Sequence, residues 1–169
     1  MIVQLPKKLK GYTCFVDGVG YAGRVAELEP PKLALKTEEY RGGGMDLPVD
    51  VDMGMEKLEA TLTFAEYTPE VFGRLGLVDG NLTSVTLRGS IQAKGDDEEV
   101  IITLRGMFKE MDSGSWKAGD DSSLKAVLNA HYYKLTISGK DVVEIDVENM
   151  IRIINGKDQL AARRKALGM

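Results

Sequence analysis

The sequence predicts a mainly β fold: an antiparallel sandwich or barrel subunit with one short internal helix and a C-terminal helix. Three observations predict it. Apolar and polar residues alternate with a period of two over most of the chain, hairpin-type Asp/Ser-Gly pairs separate these runs, and helical spacing is confined to two short stretches. At 169 residues the chain fits one domain, and 43% hydrophobic with 28% charged residues supports a packed core rather than disorder.

The elements follow in order. Tyr12, Cys14 and Val16 alternate with Thr13, Phe15 and Asp17, and Asp17-Gly18 can take the positive φ of a tight turn, so a return strand is expected from Tyr21 to Leu28. Leu58, Ala60, Leu62 and Phe64 interleave with Glu59, Thr61, Thr63 and Ala65, which puts one face on a core and the other outward. Val85, Leu87 and Ile91 alternate with Thr86, Arg88, Ser90 and Gln92. Val100, Ile102, Leu104 and Phe108 repeat the pattern against Thr103, Arg105 and Lys109, and the polar turn Lys94-Gly95-Asp96-Asp97-Glu98 makes the two runs one hairpin. A long strand from about Leu124 to Ile137 turns at Ser138-Gly139 into Val142 to Asp146. For the internal helix, Thr68 can cap, Pro69 suits the first position, Val71 and Leu75 share a face, and Gly76 can end it. The closing helix is expected over residues 157–167, with Leu160, Arg164 and Leu167 on one side and Arg163, Arg164 and Lys165 near its negative end.

Composition removes several function classes. A net charge of −4 argues against a surface built to grip nucleic acid. Its distribution is uneven: residues 1–10 and 157–169 each carry +3, which leaves −10 on the body between them. One cysteine excludes an intramolecular disulfide, and Cys14 with the single His131 cannot form a zinc site of the usual Cys/His kind. The N-terminus places Lys7, Lys8 and Lys10 after its apolar residues, unlike a signal peptide, and no run is long enough for a membrane helix; cytoplasmic synthesis is the expectation.

Motif matches fail on spacing. Gly18-Val19-Gly20-Tyr21-Ala22-Gly23 fits the dinucleotide fingerprint, but Pro30-Pro31 leaves no room for the helix that must follow. Asp50-Val51-Asp52-Met53-Gly54 misplaces the ligands and glycine of a calcium loop, and Thr61 stands where its closing Glu belongs. Carboxylate pairs such as Asp50 with Asp52 and Glu144 with Asp146 are what an acidic chain generates by chance, so a glycosidase is not indicated. No catalytic residue, cofactor or metal ligand is assigned. Cys14 belongs to the buried face of its strand, and His131 has no nucleophile motif beside it.

Two features ask for a surface to dock on. Residues 40–56 join Tyr40, Arg41, the triplet Gly42, Gly43 and Gly44, then Met45, Asp46, Leu47, Val49, Met53 and Met55: a glycine hinge and more apolar side chains than a solvated loop needs. An extended loop packing on a neighbouring subunit fits this, as does a linker crossing its own sheet. Trp116 in a polar loop suits an interface anchor or a lid on its own sheet.

Leu33-Ala34-Leu35-Lys36-Thr37-Glu38-Glu39-Tyr40-Arg41-Gly42-Gly43-Gly44-Met45-Asp46, Leu104-Arg105-Gly106 through Lys109-Glu110, and Trp116-Lys117-Ala118-Gly119 together resemble the major tail tube proteins of contractile-tailed bacteriophages and R-type pyocins. Tyr132-Tyr133-Lys134-Leu135, Glu144-Ile145-Asp146, Asn149 and Ile154-Asn155-Gly156-Lys157-Asp158-Gln159-Leu160-Ala161 continue that resemblance to the end of the chain. It implies one tube domain over 1–169, with an N-terminal arm at 1–10, whose copies form stacked hexameric rings around a channel, one sheet of each joining an inner barrel. It also implies a tail sheath protein, a tape measure protein and a baseplate tube initiator as partners, and DNA passing through without specific binding. Glu59, Thr61, Thr63, Thr86, Arg88, Ser90, Gln92, Thr103 and Arg105 then become candidates for the lumen, and Arg163, Arg164 and Lys165 for the sheath side. A secretion-system tube and a monomeric β-sandwich binding module are the alternative readings.

Overall fold

Two long antiparallel strands, β8 (Glu98–Asp112) and β9 (Leu124–Ile137), form the spine of the computed structural model, which describes residues 3–169. In chain order the other elements are β1 (Lys8–Val16), β2 (Val19–Gly20), β3 (Val25–Glu29), β4 (Leu35–Tyr40), β5 (Val49–Met55), β6 (Leu58–Phe64), α1 (Pro69–Phe72), β7 (Thr83–Gln92), β10 (Lys140–Asp146), β11 (Ile151–Ile154), β12 (Lys157–Asp158) and α2 (Ala161–Ala166). All pairings between the strands are antiparallel. One layer runs β12-β11-β10-β9-β8-β7-β1-β2; the other runs β3-β6-β9-β8, using the first half of β9 and the last half of β8.

The spine turns from one layer into the other at a bulge. Arg105 faces Tyr132 and Gly106 faces Ala130, which leaves His131 with no residue opposite. The buried side of β9 shifts there from Leu124, Ala126, Leu128 and Ala130 to Tyr133. Gly106 permits the crossing, because a Cβ on it would stand 2.1 Å from the Asn129 carbonyl oxygen. The two layers enclose Val16, Leu58, Leu62, Phe64, Val85, Leu104, Phe108, Leu124 and Leu128, with Cys14 among them. Burying each large side chain contributes about 1.5–3 kcal/mol.

Several boundaries differ from the sequence reading. The return strand after Asp17-Gly18 lasts only through β2, and β3 pairs with β6 instead of β1. Tyr21 is the reason: its ring is buried edge-on against Phe64, 5.2 Å between centroids, and draws the chain across the core. The arm expected at 1–10 already enters β1 at Lys8; Met1 and Ile2 lie outside the described residues. Helix α1 has four residues and its cap is Gly73, so Val71 is buried while Leu75 is 55% exposed. Thr68 makes no capping hydrogen bond, and its buried hydroxyl has no partner among the described residues. Residues 157–158 pair as β12, so helix α2 is confined to Ala161–Ala166.

Residues 40–56 are not an extended loop. Val49, Val51 and Met53 alternate with Asp50 and Asp52, a strand pattern, and β5 pairs with β4 in a hairpin separate from the main sheet. The glycine triplet is folded into its tip. Gly42 N–H donates to the Met45 sulfur, and the Arg41 guanidinium donates to the carbonyls of Met45 and Asp46.

Candidate functional site

The outward faces of the two layers differ in charge. On the β3-β6-β9-β8 layer the register aligns Glu27, Thr63, Lys125 and Asp112 in one row and Glu29, Thr61, Val127 and Glu110 in the next. Glu59 faces Asn129 in a third row and pairs with Lys109, whose ammonium holds the Glu59 carboxyl below its usual range. Five carboxylates therefore stand against two lysines on this face, Glu27, Glu29, Glu59, Glu110 and Asp112 against Lys109 and Lys125.

On the other layer Thr86, Thr103, Lys134 and Glu144 share a row, beside Arg88, Ile101 and Thr136. Its charges are matched locally. Arg88 pairs with Glu99, Lys134 with Asp141, and the Arg105 guanidinium lies 4.5 Å over the Tyr132 ring. Tyr132 donates to Glu144, and burial followed by this carboxylate pushes its phenol up to about 12. The residues grouped from sequence as one lumen face thus divide: Glu59, Thr61 and Thr63 on the acidic layer; Thr86, Arg88, Thr103 and Arg105 on the balanced one. Ser90 and Gln92 extend the latter strand, the Ser90 hydroxyl buried without a partner and Gln92 donating to the Gly95 carbonyl.

The acidic layer has open edges. Among the described residues, strand β3 pairs only with β6, and β8 beyond Gly106 pairs only with β9 apart from isolated bridges from Phe108 to Leu75 and Gly76. The other layer ends in β2 and β12, two residues each; β2 covers only Phe15 and Val16, so among the described residues the outer edge of β1 from Lys8 to Thr13 is open as well.

The β4–β5 hairpin stands off this body as an arm. Tyr40 faces Val49 and Glu38 faces Val51, so Tyr40, Val49 and Val51 share a mostly apolar side with Glu38; Tyr40, Leu47, Val49, Val51 and Met53 are all exposed. Glu39 and Asp50 sit directly opposite on the other side. The arm is tied at its root, where Glu56 N–H donates to the Ala34 carbonyl and Arg152 donates to the Asp52 carboxylate at 2.8 Å. The Gly54 amide, then Arg152, holds that carboxyl below its ordinary value. Met55 packs against the core.

The remaining candidates separate cleanly. Trp116 is 82% exposed and meets Tyr67 at a tilt, so it is no lid on the sheet. Arg164 turns inward to Asp158 and the Met150 carbonyl, whereas Arg163 and Lys165 stay exposed. His131 meets Glu148 at 3.0 Å. Burial pushes the Cys14 thiol up to about 11, which makes it inert. Glu27 and Glu29 escape the sequence reading because it expects that segment to return beside β1, although their alternation around Leu28 is an available signal; Glu110 and Asp112 escape it because they lie past Lys109, where the alternation of β8 is interrupted by a bulge.

The subunit is thus a two-layer β fold with open strand edges on both layers and an exposed arm. Its fold is that of contractile injection system proteins: it superposes on the PVC sheath/tube terminator of an extracellular contractile injection system with a TM-score of 0.61, 14% identity, and coverage of 80% of this chain and 99% of that one. The PVC sheath-tube complex in its extended state gives 0.60 and 15%, covering 79% and 93%. In sequence the chain is 34% identical over 170 residues to the tail tube protein of Escherichia phage P2, covering 98% of this chain and 99% of that one. It is likewise 34% identical over 156 residues to the major tail tube protein of Serratia phage KSP20, covering 91% of each. The family model for phage tail tube protein FII matches residues 6–168, and the chain belongs to that family. It is a structural subunit of a phage-type tail tube.

Proposed function

We propose that this chain polymerises into stacked hexameric rings forming a hollow tube within a contractile sheath, with the acidic layer lining the channel. The open edges of that layer carry the reading: β3 of one copy and the end of β8 of the next satisfy each other's unpaired N–H and C=O groups, and repetition closes a barrel wide enough for an aqueous lumen. A heterologous contact of this kind closes around an axis and stacks along it. The excess of carboxylates then faces DNA or another polyanionic cargo and repels it, which favours transit over binding. Arg88 and Arg105, which the sequence reading counts among the lumen candidates, belong to the other layer.

Partners follow from the same reading. The sheath protein meets the outside, with exposed Lys165 as a candidate contact; a tape measure protein occupies the lumen during assembly and a baseplate initiator starts it. The particle is a virion tail or a tailocin, assembled in the host cytoplasm. Negative-stain microscopy of the purified chain tests the proposal: rings or rods are expected, and deletion of residues 42–53 abolishes them while circular dichroism keeps the β signature. A chain that stays monomeric at high concentration and on added tail initiator overturns it.

A further inference from the structure

A cavity of about 570 Å³ opens at the root of the arm. Its floor is apolar, from Met55, Leu58, Ile145, Ile151 and Leu160. Its rim carries charge of both signs. Arg152 is engaged with Asp52, Asp146 with Asn149, and Glu148 with His131. Lys57 and Arg163, by contrast, make no ion pair among the described residues, and Glu56 stands likewise. The apolar floor lies beside Lys57 and Arg163, which outnumber the one uncommitted anion, Glu56, and this suits an apolar side chain accompanied by carboxylates.

The arm tip presents that chemistry. In Asp46-Leu47-Pro48-Val49-Asp50, Leu47 is 71% exposed, and neither Asp46 nor Asp50 makes an ion pair among the described residues. The tip cannot serve its own cavity. Val49 to Met55 is extended strand, about 20 Å at ~3.4 Å per residue, and Met55 lies at the cavity wall. We propose that the tip of one copy's arm docks in the root cavity of a second copy, Leu47 entering the apolar floor while Asp46 and Asp50 face Lys57 and Arg163. This rests on the tube reading and names one of its contacts. Because tip and cavity lie at opposite ends of one arm, the contact is heterologous and hands assembly on from copy to copy.

Charge reversal and crosslinking of the full chain test it. Arg163→Glu and Asp46→Lys each lower rod yield at least about tenfold, and combining them, which restores an opposite pairing, recovers most of the loss. With Leu47→Cys and Leu160→Cys in one chain, mild oxidation gives a ladder of intermolecular disulfides that neither single variant gives; buried Cys14 contributes no background. Unchanged urea midpoints establish that the variants fold. Wild-type rods with full yield from both charge variants, and no ladder, overturn the docking while the tube reading stands. Absence of rods from the wild type counts against the tube reading itself, and the ladder at high concentration then decides the docking alone. If Arg163→Glu forms normal rods but no longer binds purified sheath protein, the cavity serves the sheath and the proposal fails.

Discussion

Strand β6 and strand β5 are written in the same code and meet opposite fates. In β6, Leu58, Ala60, Leu62 and Phe64 alternate with polar residues and every one of them is buried. In β5, Val49, Val51 and Met53 alternate with Asp50 and Asp52, yet all three remain between 44% and 50% exposed. A period of two promises an apolar face; it does not say what covers the face. In β6 the cover is the opposite layer of the same chain. In the arm the subunit supplies none, and like charges at Glu39 and Asp50 oppose the pairing further. A soluble monomer rarely keeps such an uncovered apolar side, so the contrast points to where copies meet.

The comparison can be broken at the body first. Gly106→Val sets a branched side chain into the Asn129 backbone at the bulge and is expected to cost at least about 3 kcal/mol, read as loss of the cooperative urea transition. A stable, fully folded Gly106→Val would show that the layers do not depend on this crossing. Next comes Leu62→Ala, which empties a fully buried site and costs about 2–5 kcal/mol by the same measurement. The matching change in the arm, Val51→Ser, should move monomer stability by no more than about 0.5 kcal/mol while rod yield falls sharply in negative stain. Equal unfolding penalties at Leu62 and Val51 would erase the distinction between body and arm.

The smallest effect concerns pH. Asp52 has its carboxyl lowered by the Gly54 amide and by Arg152, so its tie stabilises the arm above the ordinary value of 3.8 and is lost as pH falls through the lowered one. Hydrogen exchange at the Gly54 amide should therefore stay protected down to about pH 4 and rise below it. Protection that disappears near pH 6 would place the tie elsewhere.

Much of the body was legible. The β6, β7, β8 and β9 alternations marked Leu62, Phe64, Leu87 and Leu104 as inward, and the turns at Asp17-Gly18 and Ser138-Gly139 fell where positive φ is found. The partner of β3 is not legible, because the decision lies with Tyr21 meeting Phe64 edge-on, forty-three positions away in the chain. In sequence the three glycines mask the alternation of Val49, Val51 and Met53 and suggest a loop, although only Gly44 of the triplet takes a positive φ. The lumen candidates were gathered by polarity alone, and polarity cannot tell one outward face from another.

By itself the sequence determined the strand code, the hairpin turns, the acidic body and the likeness to tail tube proteins, all of which are local or compositional properties. The tertiary structure decided which polar faces lie together, which edges stay open and that the arm stands clear, because each depends on residues distant in the chain. The bulge at Gly106 and His131 sends one pair of strands into two layers, and that single turn in the backbone separates an acidic face from a neutral one.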